Sequence, residues 1–255
     1  MTNASPYFAS RRQIIDLLTG GVVLAAATAP TGAFSQALSL SSVKIATIGA
    51  GHEGGALGTL FAKLGHPVMF SSRHPEELKD LVAAAGPTAR AGTVAEAVAF
   101  GEVIFLVVPY PAIAQIGKDF GSALATKPLV LDVSNPTPAR DGQDFVNEIV
   151  GEGGPGLVTA KLLKGARVVR AFNALHTPAL DKIAHRPDDQ GGPVGVPIAG
   201  DDPKAIDLAS RLIREVGFEP VLIGGLAKGK YLVPGTPLAG QHTPAELRQI
   251  AATLG

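Results

Sequence analysis

The sequence contains no cysteine, which excludes disulfides, zinc–thiolate sites, iron–sulfur clusters and a cysteine nucleophile. It has no tryptophan, and aromatic residues make up only 5% of its 255 residues, which argues against a stacking platform for single-stranded nucleic acid. Neither sign of charge is in excess, because 22 lysines and arginines balance 22 aspartates and glutamates. Without a basic field to bind a phosphate backbone, we expect no nucleic-acid partner.

Short apolar runs rich in β-branched residues alternate with Ala- and Leu-rich helical runs from Val43 onward. Val43–Ile48 is predicted to be a buried strand, and Val103–Val108 is a continuous apolar strand. Strands that are apolar on both faces and alternate with helices indicate a mostly parallel sheet covered on both sides. The sequence therefore predicts an α/β domain, whereas Ser134–Pro155 and the tail after Gly224 show no clear pattern.

The first 37 residues have the pattern of an export signal. Arg11 and Arg12 precede the apolar segment Ile14–Ala29, and Ser35–Ala37 resembles a cleavage site for a signal peptidase. The paired arginines resemble a twin-arginine signal, which implies the twin-arginine export machinery as a partner and a periplasmic location. Two alternatives stay open, namely a retained membrane anchor and a cytoplasmic protein.

A glycine-rich turn follows the first predicted strand and opens the first predicted helix. It places Gly49, Gly51 and Gly54 in a G-x-G-x-x-G pattern. In this context Gly49 permits a tight turn, Gly51 lets a pyrophosphate approach the backbone, and Gly54 lets the helix pack closely on the strand. The helix N-terminus then offers free N–H groups to phosphates. His52 either donates to a phosphate or lies exposed at the helix start.

The residues after the second predicted strand discriminate between the two nicotinamide coenzymes. An NAD enzyme has a carboxylate there to bind the ribose 2′-hydroxyl. This sequence has Ser71, Ser72 and Arg73 instead. A guanidinium and two hydroxyls suit a 2′-phosphate, so we predict NADP(H) as the cofactor, with a surface arginine as the alternative.

The sequence contains no Ser/His/Asp set for nucleophilic catalysis. Its histidines also lack the spacing of metal ligands, so we predict no metal site. Hydride transfer between two planar rings needs no protein nucleophile, only a fixed distance between them. Among six histidines only His176 is a candidate for proton transfer or substrate orientation, and a structural histidine is the alternative. Asn135 and Asn173 follow predicted strands and are candidates to bind a nicotinamide carboxamide, although Asn135 also suits a local turn. The segment Val233–Pro237 either folds over the acceptor site or packs on the surface.

Several segments together resemble the NADPH-dependent F420 reductases and their bacterial relatives. They are the glycine-rich turn with Gly65–Val68 and Ser71–Arg73, then Val108–Pro111, Asp132–Pro136, Ala171–Asn173, Ile198–Pro203 and Val216–Val221. The resemblance implies a Rossmann-type, doubly wound, mostly parallel sheet in a single domain. It also implies hydride transfer between NADP(H) and a deazaflavin such as F420, a flavin or another small redox acceptor.

The resemblance assigns roles to individual positions. The pyrophosphate is implied to be lined by Gly49, Ala50, Gly51 and Gly54. The 2′-phosphate is implied to be bound by Ser72 and Arg73, and the adenosine side to be flanked by Val108 and Pro109. The residues implied to lie by the nicotinamide are Asn135, Ala171 and Asn173.

We expect residues 1–37 to be a cleavable signal, residues 43–224 the NADP-binding domain, and residues 225–255 a tail packed on it. A homodimer is a further expectation. Two alternatives remain: an imine or hydroxyacid reductase of the same superfamily, and a module that binds NADP without turnover.

Overall fold

The computed structural model describes residue 40 and residues 43–175 and 180–255. The predicted export signal in residues 1–37 and the candidate histidine His176 lie outside these residues, so both stay predictions. Within the described part of the chain, no helix combines the length and the apolar character that crossing a membrane requires.

Eight strands of the described residues form one sheet in the order β3-β2-β1-β4-β5-β6-β7-β8. The strands are β1 (Ile45–Ile48), β2 (Val68–Ser71), β3 (Ala89–Gly92), β4 (Val103–Leu106), β5 (Leu129–Asp132), β6 (Val168–Arg170), β7 (Gly195–Gly200) and β8 (Glu219–Gly224). Neighbouring strands pair in parallel, except that β7 runs antiparallel to β6. The predicted Rossmann-type, mostly parallel sheet in a single α/β domain is confirmed.

Helices connect these strands and cover both faces of the sheet. They are α1 (His52–Lys63), α2 (Lys79–Ala85), α3 (Val94–Phe100), α4 (Ala112–Leu124), α5 (Pro138–Asp141), α6 (Gln143–Gly151), α7 (Pro155–Leu162), α8 (Leu180–Ile183), α9 (Pro203–Glu215) and α10 (Pro244–Thr253). Short 3₁₀ turns occur at Pro75–Leu78, Asp188–Gln190 and Leu226–Tyr231. The order of strands reverses at β1, because β2 lies on one side of it and β4 on the other, and such a switch point opens a crevice at the carboxyl ends of the strands.

The helix starts follow local capping chemistry. Thr93 and Glu96 form a capping box at the start of α3, and Thr243 and Glu246 repeat it at α10. The stretch Ser134–Pro155, which shows no clear sequence pattern, contains α5 and α6. These helices are short, so their sequence carries little periodic signal.

The apolar core lies on both faces of the sheet, because successive residues of each strand point to opposite sides. Along β4, Val103 and Phe105 join the cluster under α1 and α9, whereas Ile104 and Leu106 join the cluster under α3, α4 and α7. A third cluster packs the residues after Gly224 against β7 and β8. The central strands are therefore fixed from both sides, and the loops at their carboxyl ends are held in place by the core.

Candidate functional site

The glycine-rich turn has a backbone that requires glycine at two of its three motif positions. Gly49 has a φ of +97°, and a Cβ there would overlap the carbonyl oxygen of Val107. A Cβ at Gly54 would overlap the carbonyl oxygen of Gly49, so Gly54 allows α1 to approach the turn closely. A Cβ at Gly51 would meet no atom within 4 Å and would project into open space. The turn therefore forms a cradle that a single methyl group at Gly51 would begin to fill.

The N-terminus of α1 opens directly onto this cradle. Gly51 is the N-cap residue and provides no side chain to cap the helix, so the first N–H groups of α1 have no side-chain partner there. His52 and Glu53 are both exposed in the first turn. Unsatisfied N–H groups and the positive end of the helix dipole bind anions, so the turn fits the pyrophosphate of a dinucleotide.

A large cleft of about 850 Å³ extends from the turn between the end of β2 and the start of α4. Most of its lining is apolar, with Val94, Ile116 and Phe120 on the side of α3 and α4. Eight of the sequence-predicted residues line this large cleft, namely Gly49, Ala50, Gly51, Ser71, Ser72, Arg73, Val108 and Pro109. The turn, the end of β2 and the loop after β4 thus meet at one place, as the sequence predicts.

Arg73 lies exposed at the wall of the large cleft. Among the described residues it forms no ion pair, so its guanidinium is available to an anion. The Ser72 hydroxyl oxygen accepts a hydrogen bond from the His74 N–H at 3.1 Å, which leaves its own proton free to donate.

Ser71 does not fulfil its predicted role as a phosphate donor. Its side chain is fully buried, and its hydroxyl donates to the carbonyl oxygen of Thr47 at 2.8 Å. A serine hydroxyl has one proton to donate, so this hydrogen bond ties β2 to β1 and leaves no proton for a phosphate.

Next to this strand end, possible ligand atoms of His74, Glu76 and Glu77 lie within 4.8 Å of one another, but all three residues are exposed and we assign no metal to them.

A small cleft of about 230 Å³ adjoins the large one and shares Gly51, Val107, Val108 and Pro109 with it. Of the predicted residues, Gly51, His52, Gly54, Val108, Pro109 and Asn135 line it. Thr137, Arg140 and Pro234 line it as well. Pro234 belongs to Val233–Pro237, the segment for which the sequence left two alternatives open, folding over the acceptor site or packing on the surface. Sequence reasoning missed Thr137 and Arg140, because they lie at α5 within the stretch without a clear pattern.

A buried ion pair lies beneath the small cleft. The Arg170 Nη1 donates to Asp132 Oδ2 at 2.6 Å, and both side chains are fully buried. The backbone N–H of Ser134 donates to Asp132 Oδ1, and the Thr159 hydroxyl donates to Asp132 Oδ2, each at 2.9 Å. A buried charge pair is tolerated when further hydrogen bonds satisfy its remaining atoms, as they do for this carboxylate.

Tyr110 extends this network towards α7. Its hydroxyl donates to the carbonyl oxygen of Pro155 at 2.6 Å and lies 3.0 Å from the Thr159 hydroxyl. Burial, and after it the negative charge of Asp132, raises the pKa of Tyr110 well above its ordinary value. The phenol therefore stays protonated and serves as a structural hydrogen-bond donor.

Asn135 stands where the buried network reaches the small cleft. Its Oδ1 accepts a hydrogen bond from Arg170 Nη2 at 2.9 Å, and its Nδ2 donates to the backbone oxygen of Asn173 at 2.9 Å. The predicted turn role of Asn135 is thus replaced by contacts to β6 and to the residues that follow it.

The other two residues implied to lie by a nicotinamide do not line either cleft. Ala171 is fully buried in the core. Asn173 is only 3% exposed, and its Nδ2 lies 3.4 Å from the carbonyl oxygen of Ser134. Between them Phe172 adopts a φ of +65° and packs edge-on against Phe218, which turns the chain into the core after β6. Sequence reasoning placed both residues at the correct edge of the sheet but not at its surface.

Arg140 forms one wall of the small cleft. Its guanidinium donates twice to the Asp141 carboxylate at 2.7 Å, and its Nη2 also donates to the carbonyl oxygen of Asn135 at 2.6 Å. The hydrogen bonds from Arg140 lower the pKa of Asp141 below its ordinary value. The same contact raises the pKa of Arg140, so the pair stays charged near neutral pH.

The comparison with protein families confirms the resemblance over the first half of the domain. Residues 44–136 match the family described as NADP oxidoreductase, coenzyme F420-dependent. This range contains the glycine-rich turn, Arg73 and Asn135.

Solved structures of two bacterial proteins share the fold. The hypothetical protein SMa0349 from Sinorhizobium meliloti is 29% identical, with a TM-score of 0.63 over 78% of this chain and 93% of that one. A protein from Arthrobacter sp. FB24, described as an F420-dependent NADP-reductase, is 20% identical, with a TM-score of 0.63 over 74% of this chain and 88% of that one.

A curated relative extends the likeness to a eukaryotic protein. The chain is 30% identical over 190 residues to metalloreductase STEAP3 of Rattus norvegicus. The match covers 73% of this chain but only 35% of that protein, so the chain spans about a third of the length of this relative. The matched family, the Arthrobacter protein and STEAP3 are each named as an oxidoreductase or a reductase, and these names differ in the acceptor.

Proposed function

We propose that this chain is an NADP(H)-dependent oxidoreductase, starting from its match over residues 44–136 to F420-dependent NADP oxidoreductases. When bound, the coenzyme supplies or accepts the hydride. The protein supplies binding, orientation and exclusion of water. The observation that carries the proposal is the position of Gly51, which lines both clefts and leaves open space where a Cβ would project.

The arrangement of the two clefts supports one direction of binding. The N-terminus of α1 borders both clefts at Gly51, so a pyrophosphate bound there would allow the two halves of a dinucleotide to extend into different clefts. Arg73 and Ser72 lie at the large cleft, which suits a 2′-phosphate on the adenosine half. The nicotinamide half then extends into the small cleft, towards Asn135 and Arg140.

We propose a flavin, a deazaflavin such as F420, or another small redox compound as the acceptor. The family match supports a deazaflavin, and hydride transfer between two stacked rings needs no nucleophile or general base from the protein. A redox reaction of this kind is consistent with a site built from backbone N–H groups, an arginine and amides.

The coenzyme preference is tested by measuring dissociation constants for NADPH and NADH by fluorescence titration. Arg73→Ala removes a charge-assisted contact worth about 1.5–3 kcal/mol, so we expect NADPH to bind roughly 10- to 100-fold more weakly and NADH to be unaffected. Arg214→Ala is the matched control, because Arg214 is an exposed arginine that pairs with Glu219 outside both clefts. Unchanged NADPH affinity in Arg73→Ala would contradict the assignment.

Turnover is tested separately from binding. The purified protein is mixed with NADPH and, in turn, with F420, FMN and a ferric chelate, and the loss of NADPH absorbance is followed. Oxidation with one of these acceptors supports an enzyme and identifies its class. Tight NADPH binding without oxidation by any of them would instead indicate a module that binds NADP without turning it over.

A further inference from the structure

We propose that the acceptor is an uncharged, flavin-like ring compound, and that Glu53 is the residue that selects against acceptors carrying a phosphate or carboxylate tail. The proposal rests on the proposed function and deepens it, because it names the charge class of the acceptor. The observations that carry it are the charged side chains around the small cleft and the way in which they are paired.

Glu53 is a carboxylate at the small cleft without a cation of its own. It lies in the first turn of α1, is exposed, and lines this cleft. Among the described residues it forms no ion pair. The positive end of the α1 dipole favours an acidic side chain at this place, so a carboxylate is tolerated beside a turn that fits a pyrophosphate. Glu53 therefore presents a negative charge to whatever enters the small cleft.

Arg140 is the one arginine or lysine in the lining of the small cleft, and its charge is already used. Its guanidinium donates twice to the Asp141 carboxylate, each time at 2.7 Å. The pKa of Arg140 is raised first by this hydrogen bonding to Asp141, and also by the negative charge of Glu53. Glu53 thus lies within electrostatic range of Arg140 but is not paired with it, and Asp141 holds the guanidinium.

The charges around the small cleft do not cancel. Arg140 is paired with Asp141 at its wall, and Arg170 is paired with Asp132 beneath it. Two guanidinium groups therefore face three carboxylates, which gives a net charge of −1 when the histidine at the start of α1 is neutral. A bound coenzyme adds the negative charge of its pyrophosphate at the same helix N-terminus.

Hydride transfer brings the acceptor close to these charges. The acceptor ring must approach the nicotinamide to about 3–3.5 Å. A charged tail on that ring then lies at a distance comparable to the Debye length, which is about 8–10 Å near physiological ionic strength, so it still feels the local charge. An anionic tail is repelled, whereas a neutral ring is not.

The large cleft has the opposite character, which sharpens the inference. Arg73 lies exposed there and forms no ion pair among the described residues, so that cleft attracts an anion. Glu53 lies on the side of the small cleft and does not line the large one. The site therefore accepts a phosphate at one end and disfavours one at the other.

Riboflavin and FMN test the inference, because they share one ring system and differ by a phosphate of about two negative charges. Their dissociation constants are measured by flavin fluorescence on the full chain saturated with NADP⁺. We expect riboflavin to bind about three- to tenfold more tightly than FMN, as a few unit charges at this range imply. In turnover with NADPH the difference should appear in KM and not in kcat. Equal affinities, tighter binding of FMN, or no binding of either flavin would overturn the proposal.

Salt and two variants show whether charge at Glu53 causes the preference. In about 1 M NaCl the Debye length falls to about 3 Å, so the ratio of the two affinities should approach one. Glu53→Gln should also bring the ratio towards one, mainly through tighter binding of FMN. Arg140→Gln frees the charge of Asp141 and should widen the ratio. Glu148→Gln is the matched control, because Glu148 is an exposed glutamate of α6 outside both clefts, and it should keep the wild-type ratio.

A purely structural role of Glu53 gives a different result. If Glu53 does no more than stabilise the start of α1, Glu53→Gln lowers the melting temperature and leaves the ratio of flavin affinities unchanged, and that result would refute the inference. Thermal unfolding shows whether each variant is folded, and Glu53→Gln carries the test if Arg140→Gln does not fold.

The fragment 2′,5′-ADP, which corresponds to the adenosine half of NADP(H), tests the proposed function separately. No binding of this fragment by the wild type would contradict the proposed function itself. Normal fragment binding with equal affinities for the two flavins would refute only the selection by charge. A preference for riboflavin without reduction of either flavin would support the selection by charge and contradict turnover with a flavin.

Discussion

The two clefts that share Gly51 are built in different ways. The large cleft is mostly apolar, and its polar groups come from the ends of β1 and β2 and from Gln115 and Asp119 of α4. The lining of the small cleft is polar and apolar in nearly equal parts, and a fully buried ion pair between Asp132 and Arg170 supports it from below. One half of the site thus rests on local backbone geometry, and the other rests on contacts between residues far apart in the chain.

This difference predicts different responses to mutation. Changes near the large cleft should alter coenzyme affinity without disturbing the rest of the domain. Changes beneath the small cleft should reduce stability first, because a buried charge that loses its partner is costly. Four substitutions in three experiments test this contrast, in order of decreasing expected effect.

Asp132→Asn should have the largest effect on stability. The substitution keeps the shape of the side chain but leaves the Arg170 charge without a counter-charge in a fully buried place. We expect the free energy of unfolding to fall by about 3–5 kcal/mol, measured by denaturant titration. Any folded fraction should still bind 2′,5′-ADP with normal affinity. A loss below about 1 kcal/mol would show that the ion pair does not support the small cleft.

Gly54→Ala and Gly51→Ala should separate stability from binding within a single turn. A methyl group at Gly54 overlaps the carbonyl oxygen of Gly49, so we expect a loss of about 1–3 kcal/mol in unfolding free energy. A methyl group at Gly51 meets no atom within 4 Å, so we expect an unchanged melting temperature. NADPH should nevertheless bind Gly51→Ala more weakly, by about tenfold or more, because the methyl group lies where the pyrophosphate must approach amide donors. Equal behaviour of the two variants would contradict the role of the turn as a cradle.

Asp141→Asn should have the smallest effect, and the effect should depend on pH. Hydrogen bonds from Arg140 lower the pKa of Asp141 below its ordinary value of 3.8. The ionised carboxylate therefore contributes stability that is complete above about pH 4 and is lost as the pH falls through the lowered pKa. Because Arg140 is 44% exposed, we expect only about 0.5 kcal/mol. Melting temperatures of wild type and Asp141→Asn should differ at pH 6, and the difference should shrink as the pH falls below the ordinary pKa of 3.8. A difference that stays constant as the pH falls would contradict this account.

The same contrast explains how much of the site could be predicted from the sequence. The glycine-rich turn and Arg73 are recognisable because their function depends on local backbone conformation and on a position within one strand–turn–helix unit. Ser71 appeared equally suitable, but its hydroxyl is used by the neighbouring strand, and this contact depends on register. Periodicity gives no information on such cross-strand bonds.

The ion pair between Asp132 and Arg170 leaves no local signal in the sequence. The two residues are 38 positions apart and meet only because β5 and β6 pair with these residues opposite each other. The antiparallel pairing of β7 with β6 was missed for a similar reason, since an apolar strand has the same composition in either direction. A parallel strand order was predictable from the alternation of strands and helices, whereas these cross-sheet contacts were not.

Gly229 packs against the Arg170 side chain so closely that a Cβ at Gly229 would lie 2.8 Å from Arg170 Cδ. This contact has a consequence for the order in which the site can form during synthesis. Every residue that lines the large cleft lies between Ile48 and Phe120, so this half of the site is encoded within the first half of the chain. The small cleft also needs Arg170, the glycine that encloses it, and Pro234 from near the end. A chain emerging from the ribosome therefore presents every residue of the large cleft before it presents Arg170, Gly229 and Pro234, so the large cleft can form earlier than the small one.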